Sequence, residues 1–395
     1  MIKTSKLYNR FDYWCVFMLI ASSGVYYMQQ LNMPITGILL IVTGLLINYF
    51  YGHPLRKNLL KLMFILGIIF LNVFLNARNG INYNGVIIVC MQLFFLLEIT
   101  SNMSFEKFQK IFLNIMVFEA LLSVCCFLWV DVFSISNLPL QKWEMAPTGP
   151  VNMAPYYIVG WTAGPFGRNS GWFGEPGAHQ IFLNLALVFA LAQDKNQRGR
   201  VFKIIVLIIT VITTQSTTGY MCLALALCSS IFSSRKFGNS GKVLAIIGLV
   251  ILYYFESSME IISDKMAGGG SYITRVNDTY GGYSIALSSP IIGYGMYKTN
   301  TAEIYAREGI GTISNGLASM AIGFGIIVVL FYLISILFGI KKYLNATFFS
   351  VVLVFAMIIF CMNAEGGATL PIYVLWLFDW NTCNFRECNQ NSIRK

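Results

Sequence analysis

The sequence predicts an all-α polytopic membrane protein, with about twelve transmembrane helices and two long extracytoplasmic loops. Three observations carry this expectation. The chain is 56% hydrophobic and 11% charged, where a soluble domain carries about 25% charged residues. Apolar runs of roughly 17–25 residues recur from end to end, each long enough to cross about 30 Å of hydrocarbon. The connections between these runs alternate between basic and basic-poor, as the positive-inside rule requires.

The apolar segments fall at 11–28, 34–51, 59–76, 83–99, 108–130, 176–193, 201–215, 219–233, 243–256, 314–338, 347–364 and 368–380. They make residues 1–395 a single integral membrane domain with both termini in the cytoplasm. Continuous apolar runs exclude a transmembrane barrel, whose strands alternate. Lys3, Lys6 and Arg10 precede the first run, which continues into further spans and so reads as an uncleaved first helix. Most of the 27 basic residues then lie in cytoplasmic connections, so the net charge of +10 orients the chain and implies no nucleic-acid partner. The other seven are Arg78, Lys142, Arg168, Lys265, Arg275, Lys298 and Arg307. Seven of the nine cysteines sit in apolar runs, where free cysteine acts as a small hydrophobe. Cys383 and Cys388 lack the neighbours of a zinc site.

Two outer connections are long, one at 131–175 and one at 257–313. Long loops on a compact scaffold usually carry function. The first is rich in Pro, Gly and aromatics and ends in Arg168-Asn-Ser-Gly-Trp-Phe-Gly-Glu175-Pro176-Gly-Ala-His179. The second carries a Gly268–Gly270 run, then Arg275, then Pro290-Ile-Ile-Gly-Tyr-Gly295. An arginine held on the basic-poor side suits anion binding. Arg168 and Arg275 are therefore candidates for a diphosphate clamp, since each guanidinium can donate two parallel hydrogen bonds. The plainer reading makes each a loop cation at the lipid headgroups. Arg78 is a weaker candidate of the same kind.

Glu175 precedes Pro176, which should open a helix. It is a candidate catalytic acid or base, and equally a helix cap or a partner of Arg168. His179, one turn into that helix, is a candidate general base or a packing residue. Asp278 could pair with Arg275. Glu119 sits within an apolar run, where an acid marks a site or a hydrogen-bonded interior position. The Thr213-Thr-Gln-Ser216-Thr-Thr-Gly219 turn offers hydroxyls to a polar ligand, or is simply a hairpin turn. No Asp-x-Asp, His cluster, Walker loop or dinucleotide fingerprint is present, so neither a metal nor another cofactor is expected.

Together these residues resemble the bacterial O-antigen polymerase family, the Wzy-like proteins, and their relatives the O-antigen ligases. The resemblance rests on the number of spans, on R-x-S-G-x-F-x-E-P at Arg168–Pro176, and on the Ser216-Thr-Thr-Gly219 turn. It continues with Arg275 ahead of Pro290–Gly295, and with Ser314-Asn315-Gly316 opening the next span. It implies a metal-independent glycosyltransferase of the bacterial inner membrane, with its site on the outer face. The implied reaction moves a growing O-antigen or capsule-type glycan from undecaprenyl diphosphate to the non-reducing sugar of a lipid-linked repeat unit. The diphosphate then falls to Arg168 and Arg275, with Arg78, Ser216 and Asn315 nearby. A chain-length regulator and a flippase of the same pathway are implied as partners. Where ligases tend to carry histidine before the asparagine, this chain has Ser314. The alternatives are an O-antigen ligase or a lipid-linked oligosaccharide flippase. The flippase expects charges along a central path, and within the spans Glu98 and Glu119 are the main ionisable residues.

Overall fold

The computed structural model describes residues 2–25, 28, 33–52, 54–133, 141–145, 149–154, 157–161, 168–193, 197–234, 238–251, 254, 271–296, 304–305, 313–344, 346–364 and 367–381. Lys265, Lys298, Arg307, the Gly268–Gly270 run, Cys383 and Cys388 lie outside these residues, as do the side chains of Lys142 and Arg275.

The chain is mostly helical. The first five helices are α1 (Ile2–Ser22), α2 (Met33–Tyr51), α3 (Arg56–Leu75), α4 (Tyr83–Asn102) and α5 (Phe105–Phe127). After the first long connection come α6 (Pro176–Ala192), α7 (Arg200–Thr213), α8 (Thr217–Ser233) and α9 (Asn239–Ile251). The last five are α10 (Ser271–Ser288), α11 (Gly316–Phe324), α12 (Ile326–Tyr343), α13 (Phe348–Ala364) and the short α14 (Pro371–Val374). Among the described residues, α3, α4, α5 and α12 are long and apolar enough to cross a membrane, and five shorter helices are apolar.

The residues at helix starts explain several boundaries. Pro176 opens α6 as expected, because it lacks the N–H that a first turn leaves unused. Ser104, Ser216 and Asn315 cap α5, α8 and α11 by accepting from the backbone N–H three residues on.

Three departures from the sequence expectation stand out. The connection at 131–175 is not irregular throughout, so the chain is not strictly all-α. It holds an antiparallel meander of β1 (Gln141–Met145), β2 (Gly149–Ala154), β3 (Tyr157–Trp161) and β4 (Arg168–Asn169). Short runs with Trp, Val, Ile and Tyr between Pro and Gly are strand signals. Similarly, the connection at 257–313 contains the 18-residue helix α10, which bears Arg275.

The second departure is the run at 314–338, which is one apolar stretch in sequence but two helices in space. Gly325, at φ +90, separates α11 from α12. The Pro290–Met296 segment fills the break. Tyr294 N donates to the Ile322 carbonyl at 2.7 Å, Gly295 N to that of Gly323 at 3.0 Å, and Ile327 N to that of Pro290 at 3.3 Å. Asn72 of α3 clamps the end of α11 to this segment, donating to the carbonyls of Ile292 (2.8 Å) and Gly323 (3.0 Å) and accepting from Met296 N. Non-helical backbone at membrane depth needs such partners. A Cβ at Gly325 would lie 2.6 Å from the Ile291 carbonyl oxygen. Gly325→Ala is therefore expected to cost about 1–3 kcal/mol, read as a lower thermal midpoint of the purified protein.

The third departure is 368–380, where one helix was expected. Pro371–Val374 and a 3-10 turn at Leu375–Leu377 are followed by extended chain. The segment is core rather than span. Trp380 packs on Phe105 (5.3 Å) and Phe108 (4.6 Å), and Trp376 on Phe105 (5.5 Å). Asn58 exchanges two 2.7 Å hydrogen bonds with the Asp379 backbone. Trp380 N donates to the Tyr343 hydroxyl, and Asn381 N to the Thr100 carbonyl.

These contacts set the ends of the bundle. At one end, Lys61 of α3 and Lys342 of α12 both pair with Asp379. At the other, Asn72 of α3 meets Gly323 at the end of α11, just before α12 begins. The two helices are thus antiparallel, and the basic starts and ends lie opposite Arg78, which follows α3.

Candidate functional site

Arg168 is held from both sides. It lies on β4 opposite Trp161 of β3. Its half-buried side chain donates from Nε to the Thr214 carbonyl at 3.1 Å. The next residue repeats the connection, since Asn169 Nδ2 donates to Thr213 Oγ1 (2.9 Å) and Ser123 Oγ (3.3 Å). The arginine element and the hydroxyl-rich turn, 46 residues apart, therefore form one unit.

Beneath that unit is a buried ion-pair geometry. His179 Nε2 lies 2.9 Å from Glu119 Oε2, and both side chains have 0% exposure. His179 Nδ1 lies 3.3 Å from the Asn169 carbonyl. Both ring nitrogens thus face oxygen atoms, one of a carboxyl group and one of a backbone carbonyl. The other carboxylate oxygen accepts from Trp172 N at 3.3 Å. Phe173 stacks on the imidazole at 5.5 Å. Gly171 closes over the pair with φ +51, and a Cβ there would fall 2.1 Å from Glu119 Oε1. Glycine is required here both for its conformation and for the close approach.

The remaining candidates divide by burial. Glu175 precedes α6, makes no capping hydrogen bond and is exposed. Of the two candidate proton acceptors, it is the one that solvent can reach. His179 is enclosed. Ser216 accepts from Gly219 N at 3.2 Å, so its hydroxyl serves the α8 cap. Gln180 and Asn184 of α6 pack beside that cap, where Asn184 donates to the Gly219 carbonyl.

A second unit surrounds α10. Asp278 Oδ2 accepts from Ser314 N (3.0 Å) and Ser314 Oγ (2.6 Å), and its expected pairing with Arg275 falls on a side chain outside the described residues. Asn315 caps α11 and donates to Thr279 Oγ1 at 3.2 Å. The helix bearing Arg275 is thereby docked on the Ser314-Asn315 turn. Arg78 is exposed, in a 3-10 turn between Asn76 and Asn79. Asn79 donates to the Tyr294 carbonyl, so Arg78 stands beside the Pro290–Gly295 segment.

Sequence reasoning did not find Asn169, Ser123 or the Glu119–His179 link. The available signal was spacing, because Glu119 and Ser123 lie four apart, on one face of α5. Among the described residues, no group of three or more His, Cys, Asp or Glu could hold a metal.

Residues 202–333 match the family model described as O-antigen ligase. The match runs from α7 into α12 and includes the Thr213–Gly219 turn, Arg275, Pro290–Gly295 and Ser314-Asn315. It supports a place in the O-antigen ligase/polymerase superfamily, whose members are membrane glycosyltransferase-like enzymes. Comparison with curated proteins and with solved structures gives no match. The Arg168–Pro176 element lies outside the matched range, and hydrogen bonds to Thr213 and Thr214 join it to that range.

Proposed function

We propose that this protein is a polysaccharide repeat-unit polymerase. It transfers a growing glycan from undecaprenyl diphosphate to the non-reducing sugar of an incoming lipid-linked repeat unit. The observation that carries this reading is the anchoring of Arg168 on the Thr213–Ser216 turn, within a region similar to O-antigen ligases. The Nε bond fixes the plane of a guanidinium suited to a diphosphate. Arg275, on the docked helix α10, is assigned the same anion. A glycosyl diphosphate already has a good leaving group once its charge is stabilised. What remains is removal of a proton from the acceptor hydroxyl. We assign that role to exposed Glu175, and assign His179 and Glu119 to holding the Arg168 turn. The site faces outward from the inner membrane in this reading, with both termini in the cytoplasm and no metal in the reaction. The gathering of Lys61 and Lys342 at the opposite end of the bundle supports that orientation.

The family description also favours a second reading, a ligase that delivers finished polymer to lipid A core. Ser314, hydrogen-bonded to Asp278 where ligases tend to carry histidine, supports the polymerase. Reconstitution separates the two. Proteoliposomes given undecaprenyl-diphosphate-linked repeat units should yield a ladder of lengthened products with no lipid A core present. Transfer only when that core is added would overturn the polymerase reading.

A further inference from the structure

An apolar cleft of about 540 Å³ runs between α3, α4, α12 and the terminal segment. Its walls include Phe64, Ile68, Leu93, Phe324 and Phe331. It ends at Lys61, Lys342 and Asp379, on the basic end of the bundle and away from Arg168. Two ammonium groups share one carboxylate there, which leaves one positive charge, and both lysine side chains are about half exposed. Trp376 also lines the cleft, and its buried indole N–H has no hydrogen-bond partner among the described residues.

We propose that this cleft is a binding site for an anionic glycerophospholipid of the cytoplasmic leaflet. The charged end and the apolar walls match the two ends of such a lipid. A phosphodiester carries the single negative charge that the Lys61–Asp379–Lys342 cluster lacks. An acyl chain lies along the Phe64–Phe331 walls, where these two rings already pack at 5.8 Å. Asp379 holds the two lysines in place, so their ammonium groups converge without repelling one another. The site is independent of the transfer reaction and lies at the other end of α3.

Native mass spectrometry of the full chain tests the assignment. The protein is released from micelles containing equimolar dioleoyl phosphatidylglycerol, dioleoyl phosphatidylcholine and undecaprenyl phosphate. A one-to-one phosphatidylglycerol adduct is expected. The Lys61→Gln/Lys342→Gln variant should lower it about tenfold. Ser335→Trp, which fills the cleft and leaves the ion pairs intact, should lower it similarly even where the double variant folds poorly. Four outcomes would overturn the proposal. These are no adduct, an equally abundant phosphatidylcholine adduct, undecaprenyl phosphate in its place, or a phosphatidylglycerol adduct indifferent to Ser335→Trp.

Discussion

Arg168→Ala is expected to lower the initial rate of chain extension in proteoliposomes by about 10²–10³-fold, the loss typical of removing one preorganised donor from a developing charge. The thermal midpoint should fall far less, because the side chain is only half-buried and its hydrogen bond to Thr214 is worth about 1–3 kcal/mol. Arg168→Lys should fall between. Lysine keeps the charge, but it has neither the planar fork nor the Nε that is fixed on the turn. Arg275→Ala is expected to act in the same direction. A product ladder of unchanged length and rate in both alanine variants would remove the arginines from the mechanism, whatever the reaction proves to be.

Loss of Glu119 or His179 should have the largest effect on folding. Each removes one partner of a pair with no exposed surface, and leaving a charge unpaired there costs about 3–5 kcal/mol. Glu119→Ala and His179→Ala should each lower the thermal midpoint of the purified protein steeply. Replacing both, as Glu119→Leu/His179→Phe, should cost less than the two single losses added together, because neither charge is then stranded. The same variants separate a positioning role from a chemical one. If His179 holds the turn, activity lost in His179→Gln should track stability, and the pH profile of the remaining activity should keep its shape. A base role predicts a well-folded variant whose pH–rate limb has vanished.

The helical membrane architecture is legible in the sequence because hydropathy is an additive property of contiguous residues. So is the start of α6, where Pro176 acts within a turn of its own position. What escapes is set by distant partners. The break at Gly325 interrupts a run that stays apolar across it, and the Pro290–Met296 segment that fills it is about thirty residues earlier. The terminal segment has the composition of a span, yet Trp376 and Trp380 are consumed by packing on α5. The candidate site shows the same division. Arg168 is conspicuous because a basic residue is rare on its side of the chain. The partner of His179 is sixty residues away on another helix, and no local pattern joins them. The strands of the first long connection are short and interrupted by Pro and Gly, so a search for apolar runs passes over them.

The second arginine is carried by a helix fastened at its middle and just beyond its C-terminal end. Asp278 and Thr279 tie α10 to Ser314 and Asn315, and beyond Ser288 the chain enters the segment that Asn72 clamps into the broken helix. A residue on a free loop of this length would lose conformational entropy each time a substrate ordered it. On α10 the backbone at Arg275 surrenders that freedom once, during folding. In the proposed reaction, binding would then have only the side chain's own rotations left to restrict, so more of the binding energy could be expressed at the reacting bond.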